Sequence, residues 1–240
     1  MFKLLSTANP KIQKGTKLGY LSFILHLAPA DLSGKETCPK RTAGCTAACL
    51  NTAGRGGMFK KGENTNMIQQ ARIRKTKYFF DNRDAFMMDL VMDIAKAVRF
   101  AERQGLTPVI RLNGTSDLAW EKYEAVGKFN IFDTFPEVQF YDYTKVLGRK
   151  VSGIKNYHLT FSAADGNDSD VARAIQQGMN VAVVFDRLPQ DYMGRPVNDA
   201  DEHDLRFLDP KGTIAGLKAK GRAKKDTTGF VRRTIPIKVA

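Results

Sequence analysis

The chain has 240 residues, 42% of them apolar and 26% charged, with 38 Lys and Arg against 25 Asp and Glu for a formal net charge of +13. That mix is long and apolar enough to bury one α/β-sized core, and it excludes a disordered chain. No apolar run reaches the roughly 20 residues that span a bilayer, so a membrane partner is excluded too.

The stretch "LGYLSFILHLAPA" is too short to cross, and Met1 to Pro10 lacks the pattern of a signal peptide. The reading is a cytoplasmic protein. In that compartment clustered thiols mean metal binding or catalysis more often than disulfides.

Five short runs rich in β-branched or aromatic residues read as strands: Leu21–Leu27, Pro108–Leu112, Val138–Tyr143, Tyr157–Phe161 and Val181–Phe185. Helical spacing falls between them. "RDAFMMDLVMDIAKAVRFAERQG" sets Phe86, Leu90, Val91, Ile94, Val98 and Ala101 on one face and stops at Gly105. "LAWEKYEAV", residues 118–126, reads as another helix, and "SDVARAIQQG" as one ending at Gly178. Strand–helix–strand order predicts an α/β fold with a mostly parallel sheet, arranged as a single barrel-like domain, a partial or complete (β/α) barrel. Residues 1–208 form that domain, with a cysteine loop over 32–57. Residues 209–240 form a basic C-terminal extension packed on it or trailing from it. In such folds ligands gather where parallel strands end. The loops "APADLSGKETC", "NGTSD", "TKVLGRK", "SAADGND" and "DRLPQD" are therefore expected to share one mouth.

All three cysteines, Cys38, Cys45 and Cys49, lie in "LSGKETCPKRTAGCTAACLNTAGRGG", spaced C-x6-C-x3-C. Pro39, Lys40, Gly44 and Thr46 are poor core material, so a metal or cluster site outweighs buried structural thiols. Redox or nucleophilic chemistry is a third reading. Zinc would need a fourth ligand from His26, His158, His203 or a carboxylate. Three thiolates can also hold a four-iron cluster and leave one iron open.

Other residues are candidates for the same mouth. Arg55, Gly56 and Gly57 in "NTAGRGG" suit an anion, because glycine lets backbone approach and Arg forks onto phosphate. The segment "NGTSD" places Gly114, Thr115, Ser116 and Asp117 at a strand end. Alternation in "VQFYDYTK" sets Tyr141 and Tyr143 on one face and Phe140 and Asp142 on the other, so Asp142 needs a partner and Lys145 can meet substrate charge. Arg206 in "HDLRFLDP" is a further candidate. Between Lys60 and Arg83 stand seven Lys or Arg, and from Asp209 onward nine against two Asp. That excess points to a nucleic acid or nucleotide partner. The oligomeric state is not legible.

The early "CP…C…C" loop resembles that of phage proteins of the Gp88 type. The wider pattern "NTAGRGG … RLNGTSDLAWE … VQFYDYTK … NYHLTFS … HDLRFLDP" resembles an uncharacterised phage and prophage family, which would place the protein in a host cytoplasm. More distantly, a three-cysteine loop after the first strand resembles the radical S-adenosylmethionine enzymes, whose own spacing is C-x3-C-x2-C. That resemblance implies a 4Fe-4S cluster on Cys38, Cys45 and Cys49. It also implies S-adenosylmethionine against Gly114, Thr115, Ser116 and Asp117, with Asp142, Lys145 and Arg206 acting on a phosphate-containing or nucleic-acid substrate. The rival expectation is a non-enzymatic nucleic-acid-binding phage protein whose cysteines hold zinc or simply pack.

Overall fold

A computed structural model describes residues 3–7, 14–52, 54–59 and 64–234, with Arg55 described by its backbone alone. The described chain builds one ten-stranded sheet. It runs β1 (Leu5–Ser6), β2 (Tyr20–Leu25), β3 (Thr107–Arg111), β6 (Gln139–Thr144), β7 (Tyr157–Ser162), β8 (Val181–Phe185), β11 (Ile214–Lys218), β10 (Arg195–Asp199) and β9 (Asp191–Tyr192). From β2 to β10 every neighbouring pair is parallel. The two outer strands are antiparallel to their neighbours. A short β12 (Val231–Arg232) pairs with the last residues of β8, beyond the point where the β7 pairing stops. The expected large, mostly parallel α/β sheet is present, and all five expected strands lie within two residues of their observed bounds.

The two faces of the sheet differ. One carries Phe23, Ile110, Phe140 and Leu159, packed under α2 (Met67–Asp81) and α3 (Arg83–Glu102). On the same face Phe161, Val181 and Val183 pack under α5 (Asp168–Gln176), the single-turn α4 (Ile131–Thr134) lying before β6. The opposite face presents Tyr20, Val109 and Tyr141 to Leu205 and Phe207, and Tyr143, Ala182 and Ala215 to Ala200. The alternation read in "VQFYDY" is therefore the alternation of the two layers.

One local expectation changes. Residues 118–126 are no helix but a single 3-10 turn, Trp120–Lys122, followed by β4 (Glu124–Val126), which pairs with β5 (Phe129–Asn130). Side chains decide this. The Trp120 indole donates to Asn113 Oδ1 at 3.1 Å, Arg149 draws Glu121 into an ion pair, and Gly127 at φ +58° turns the hairpin. The stretch from residue 209 supplies β11, an interior strand flanked by β8 and β10, as well as β12.

A buried carboxylate joins the end of β3 to its neighbours. Asp142, 1% exposed, accepts from the Asn113 N–H at 2.7 Å and from the Tyr157 hydroxyl at 3.0 Å. Asn113 in turn collects Ser116 Oγ, the Leu118 N–H and the Trp120 indole on its own Oδ1. Burial pushes the Asp142 carboxyl up to about 7, although Arg111, the Asn113 N–H and Arg149 pull the other way. An acid raised in this way keeps its proton in the folded chain while the unfolded chain, at 3.8, has released it. The contribution of Asp142 to stability is thus fully present below about pH 4 and is lost as pH rises toward 7. Asp142→Asn keeps an acceptor for Asn113 and removes the titration. The melting-temperature advantage of the native chain over this variant is expected to shrink between pH 5 and pH 8; a constant or growing advantage would contradict the assignment.

Candidate functional site

Because the central strands are parallel, the loops after β2, β3, β6, β7, β8, β10 and β11 leave from one edge of the sheet. The cysteine loop follows β2 and is tied down at once. Thr76 Oγ1 accepts from the Ala28 N–H at 2.8 Å, and Thr37 Oγ1 donates to Ala28 O at 2.6 Å. It is then joined to the β3 loop. Asp117 N–H donates to Thr37 O at 2.8 Å, and Thr115 Oγ1 donates to Leu27 O at 2.5 Å. Gly114 is where the two loops nearly touch, since a Cβ there would lie 2.6 Å from Ile24 Cγ2 and 2.7 Å from Leu25 O.

Cys38 sits in this seam. Its Sγ accepts from the Ala30 N–H at 3.4 Å and lies 3.9 Å from Thr115 O. Burial pushes its thiol up to about 11, and the charges of Cys49 and Asp117 push the same way. Cys45 lies on α1 (Ala43–Ala47), whose cap Thr42 accepts from the Cys45 N–H at 3.1 Å. Asp165, from the loop after β7, accepts from the Thr42 hydroxyl and from the N–H groups of Gly44 at 3.0 Å and Cys45 at 3.2 Å. Burial raises the Asp165 carboxyl, but those donors outweigh it and hold it below the usual range. Gly44 admits no side chain, because a Cβ would lie 2.6 Å from Asp165 Oδ1 and 2.8 Å from Phe230 Cβ.

Cys49 follows α1, and its Sγ accepts from the Asn51 N–H at 3.5 Å. Burial raises this thiol, Cys45 raises it further, and Lys145 and Arg72 pull it down. Arg72 itself bonds Asn51 Oδ1 at 2.6 Å. The three thiols therefore share one neighbourhood, in which Cys49 acts on Cys38 and Cys45 acts on Cys49. In this arrangement no three His, Cys, Asp or Glu among the described residues are set to hold a metal ion. His26, at the end of β2, is kept neutral: burial, then Arg72, Arg111 and Lys75, push it down to about 3.

Most of the other expected residues hold loops together. Ser116 Oγ is spent on Asn113, and Asp117 Oδ2 accepts from the Lys145 backbone N–H at 2.7 Å. Asp117 Oδ1 stands 3.9 Å from Arg149 Nη1, and neither atom completes a hydrogen bond. Lys145 acts by its charge on Cys49, whereas Asp142 braces the β3 loop from beneath. Gly56 and Gly57 form a 3-10 turn whose Gly56 carbonyl accepts from Asn66 and Gln69, each at 2.9 Å. The side chain of Arg55 lies outside the described residues. Arg206 is not brought to the mouth. It is fully buried on the face away from the helices, 3.1 Å from Asp209, and it donates to His203 O.

Three residues that the sequence did not single out complete the setting: Asp165, Arg72 and Arg149, which grips Glu121 and bonds the Tyr157 hydroxyl at 3.2 Å. Each lay inside a quoted polar or basic stretch, but nothing local marks which residue of the stretch turns inward. Beside α1 an open shelf of about 610 Å³ is lined by Glu36, Arg41, Thr42 and Thr46. A second cavity, of about 460 Å³, lies between Val146–Ser152 and Phe207–Lys211, with His158 in its wall. Burial and Arg206 push His158 down to about 4.

No helix among the described residues is long and apolar enough to cross a membrane. No curated protein and no solved structure matches the chain. The family model described as "Gene product 88" matches residues 3–234, nearly the whole length and every element of the mouth, and the chain belongs to that phage protein family.

Proposed function

We propose that the protein is an iron-sulfur protein of the 4Fe-4S type, a phage enzyme that acts at this mouth on a phosphate-containing or nucleic-acid substrate. The observation that carries the reading is the shared neighbourhood of Cys38, Cys45 and Cys49 at the C-terminal ends of parallel strands, beside the cations Arg72 and Lys145. The donor chemistry suits a thiolate-held metal, since cations near the sulfurs offset the negative charge that three thiolates bring. As described, the sulfurs are not set as a ligand group, so binding requires the 38–49 loop to draw them together. When bound, a cluster with three protein ligands supplies an iron open to a small molecule. The chain's own part is to seat the loop through Asp117 and Asp165 and to meet substrate phosphate with Lys145.

The barrel-like form of the fold belongs to this reading. Its support is that α2, α3 and α5 all cover one face of the sheet, while the other is filled by the 200–208 segment. A radical S-adenosylmethionine enzyme is the finer version of the proposal. The 113–117 loop fits that cofactor poorly, because Thr115, Ser116 and Asp117 Oδ2 are already committed and Asp117 Oδ1, without a hydrogen bond, faces Arg149. No step is routed through it.

His26 favours a second reading, in which the protein is a non-enzymatic nucleic-acid-binding one and the thiols hold zinc. A neutral imidazole beside Gly114 is the type of fourth ligand that zinc takes.

Anaerobically purified and reconstituted protein is expected to carry iron and acid-labile sulfide and to absorb broadly in the visible, and Cys45→Ala to lose all three. Zinc in their place would establish the second reading, and colourless, metal-free protein would end the cluster reading and leave thiols that simply pack. Asp165→Ala removes the donors' shared acceptor at α1 and should cost about 1 kcal/mol, as a lost helix cap does. Its expected signature is a folded chain that retains less metal than the native one; unchanged retention would show that the carboxylate does not seat Cys45.

A further inference from the structure

The edge of the sheet that bears the cysteines is unevenly paired in charge. In the described loops after β2, β7, β8 and β11, each acid is occupied within the fold. Asp31 and Glu36 both hold Arg41. Asp165 caps α1, and Asp168 holds Arg232. Asp186 accepts from Thr234, and Asp226 from Thr228 and Val231. Among the cations of the same loops, Arg41 is held by those two acids and Lys220 pairs with Asp201 at 2.7 Å, but five others are not so occupied. Lys40, Arg187, Arg222, Lys224 and Lys225 are exposed and make no ion pair or side-chain hydrogen bond among the described residues.

Three of these five sit on one short 3-10 turn, Gly221–Lys225, which Ala223 anchors by burying its methyl group. The turn follows Ala219, whose N–H donates to Phe185 O at 2.8 Å at the end of β8. Beyond it, Phe230 packs over Gly44 of the cysteine-bearing helix. The turn thus stands at the mouth. The cysteine-bearing edge has one exposed acid without a side-chain partner among the described residues, Glu202 after β10, against these five cations, whereas at the opposite edge Lys17, Arg103 and Lys155 stand among two such acids, Glu102 and Glu137.

We infer that Arg222, Lys224 and Lys225, with Lys40 and Arg187, form a docking surface for the phosphate backbone of a nucleic acid, delivering it to the cysteine-bearing mouth. Unpaired cations whose neighbouring carboxylates are consumed internally present their full charge to a polyanion. The nearby shelf beside α1, with the Thr42 and Thr46 side chains in its wall, has room for a nucleotide unit. The inference rests on the substrate half of the function proposed above and is independent of its metal half.

The test titrates the full chain against labelled single-stranded and duplex oligonucleotides over a salt series, reading fluorescence anisotropy. Binding is expected to weaken steeply with salt. The triple variant Arg222→Ala/Lys224→Ala/Lys225→Ala should bind more weakly and flatten the log–log salt slope by about 2 to 3. Lys17→Ala/Arg103→Ala/Lys155→Ala removes the same charge from the other edge and should lose far less. Equal losses in the two variants, no binding at low salt, or displacement by poly-glutamate at matched charge would each overturn the inference. Cys45→Ala separates it from the cluster reading: metal lost with oligonucleotide binding intact supports the surface, whereas a metal-bearing chain that ignores oligonucleotides removes it.

Discussion

A helix of five residues cannot sustain itself in water, because nucleation fixes several residues for one hydrogen bond. The Cys45 helix exists because a carboxylate 120 residues further along the chain accepts its first free N–H groups. Asp165 is itself fixed by the β7 strand end, and β7 by its register against β6 and β8. The position of the central thiol is therefore set by the parallel sheet, through one side chain. Gly44 enforces the same arrangement by exclusion, since any side chain there would force the cap and the C-terminal segment apart.

The same device recurs around the mouth. Loops are joined by side chains bonding to backbone: Thr76 to Ala28, Thr37 to Ala28, Thr115 to Leu27, Asp117 to Lys145 and Asp142 to Asn113. Loop backbone carries polar groups that cost energy when buried unpaired, and short polar side chains satisfy them where no ladder can. This explains an odd feature of α2. Gln69 and Thr76 occupy two of its three buried positions, with Phe79 at the third, and both polar residues reach loop backbone. That helix grips the cysteine loop at one end and seats its aromatic core at the other, where Phe79 meets Phe86, Trp120 and Tyr123 at 5.2 Å each.

What could be read from the sequence follows from these facts. The five central strands are legible because each is a compact apolar run, and α3 and α5 because their buried positions repeat at helical spacing. Helix α2 is not, because its buried face is largely polar. Strand β11 is hidden by its lysine and by Gly216, yet that glycine is required: a Cβ would lie 2.6 Å from Val197 Cγ1. Residues 118–126 have helical composition, and the Trp120 and Glu121 side chains override it through partners distant in sequence or fold. At the site, the cysteines, the 113–117 loop and Lys145 announce themselves as local clusters. Asp165, Arg72 and Arg149 do not, because each is defined by what it faces.

The electrostatics of the mouth also separate two roles that the thiols could play. A nucleophilic cysteine needs its thiolate at working pH, and protein sites that use one lower the thiol's pKa with nearby cations. Here burial dominates instead: Cys38 is pushed up to about 11 and Cys49 upward as well, despite Arg72 and Lys145. The Cys38 and Cys49 thiols therefore hold their protons more firmly than a free thiol does. In general a thiol gives up such a proton in exchange for a positive centre, as metal-binding thiols do. Cys49 raises Cys38 and Cys45 raises Cys49, so the charge of one thiolate is a cost to its neighbour. The raised Cys38 and Cys49 thiols thus differ from activated nucleophiles, whose pKa the surroundings lower.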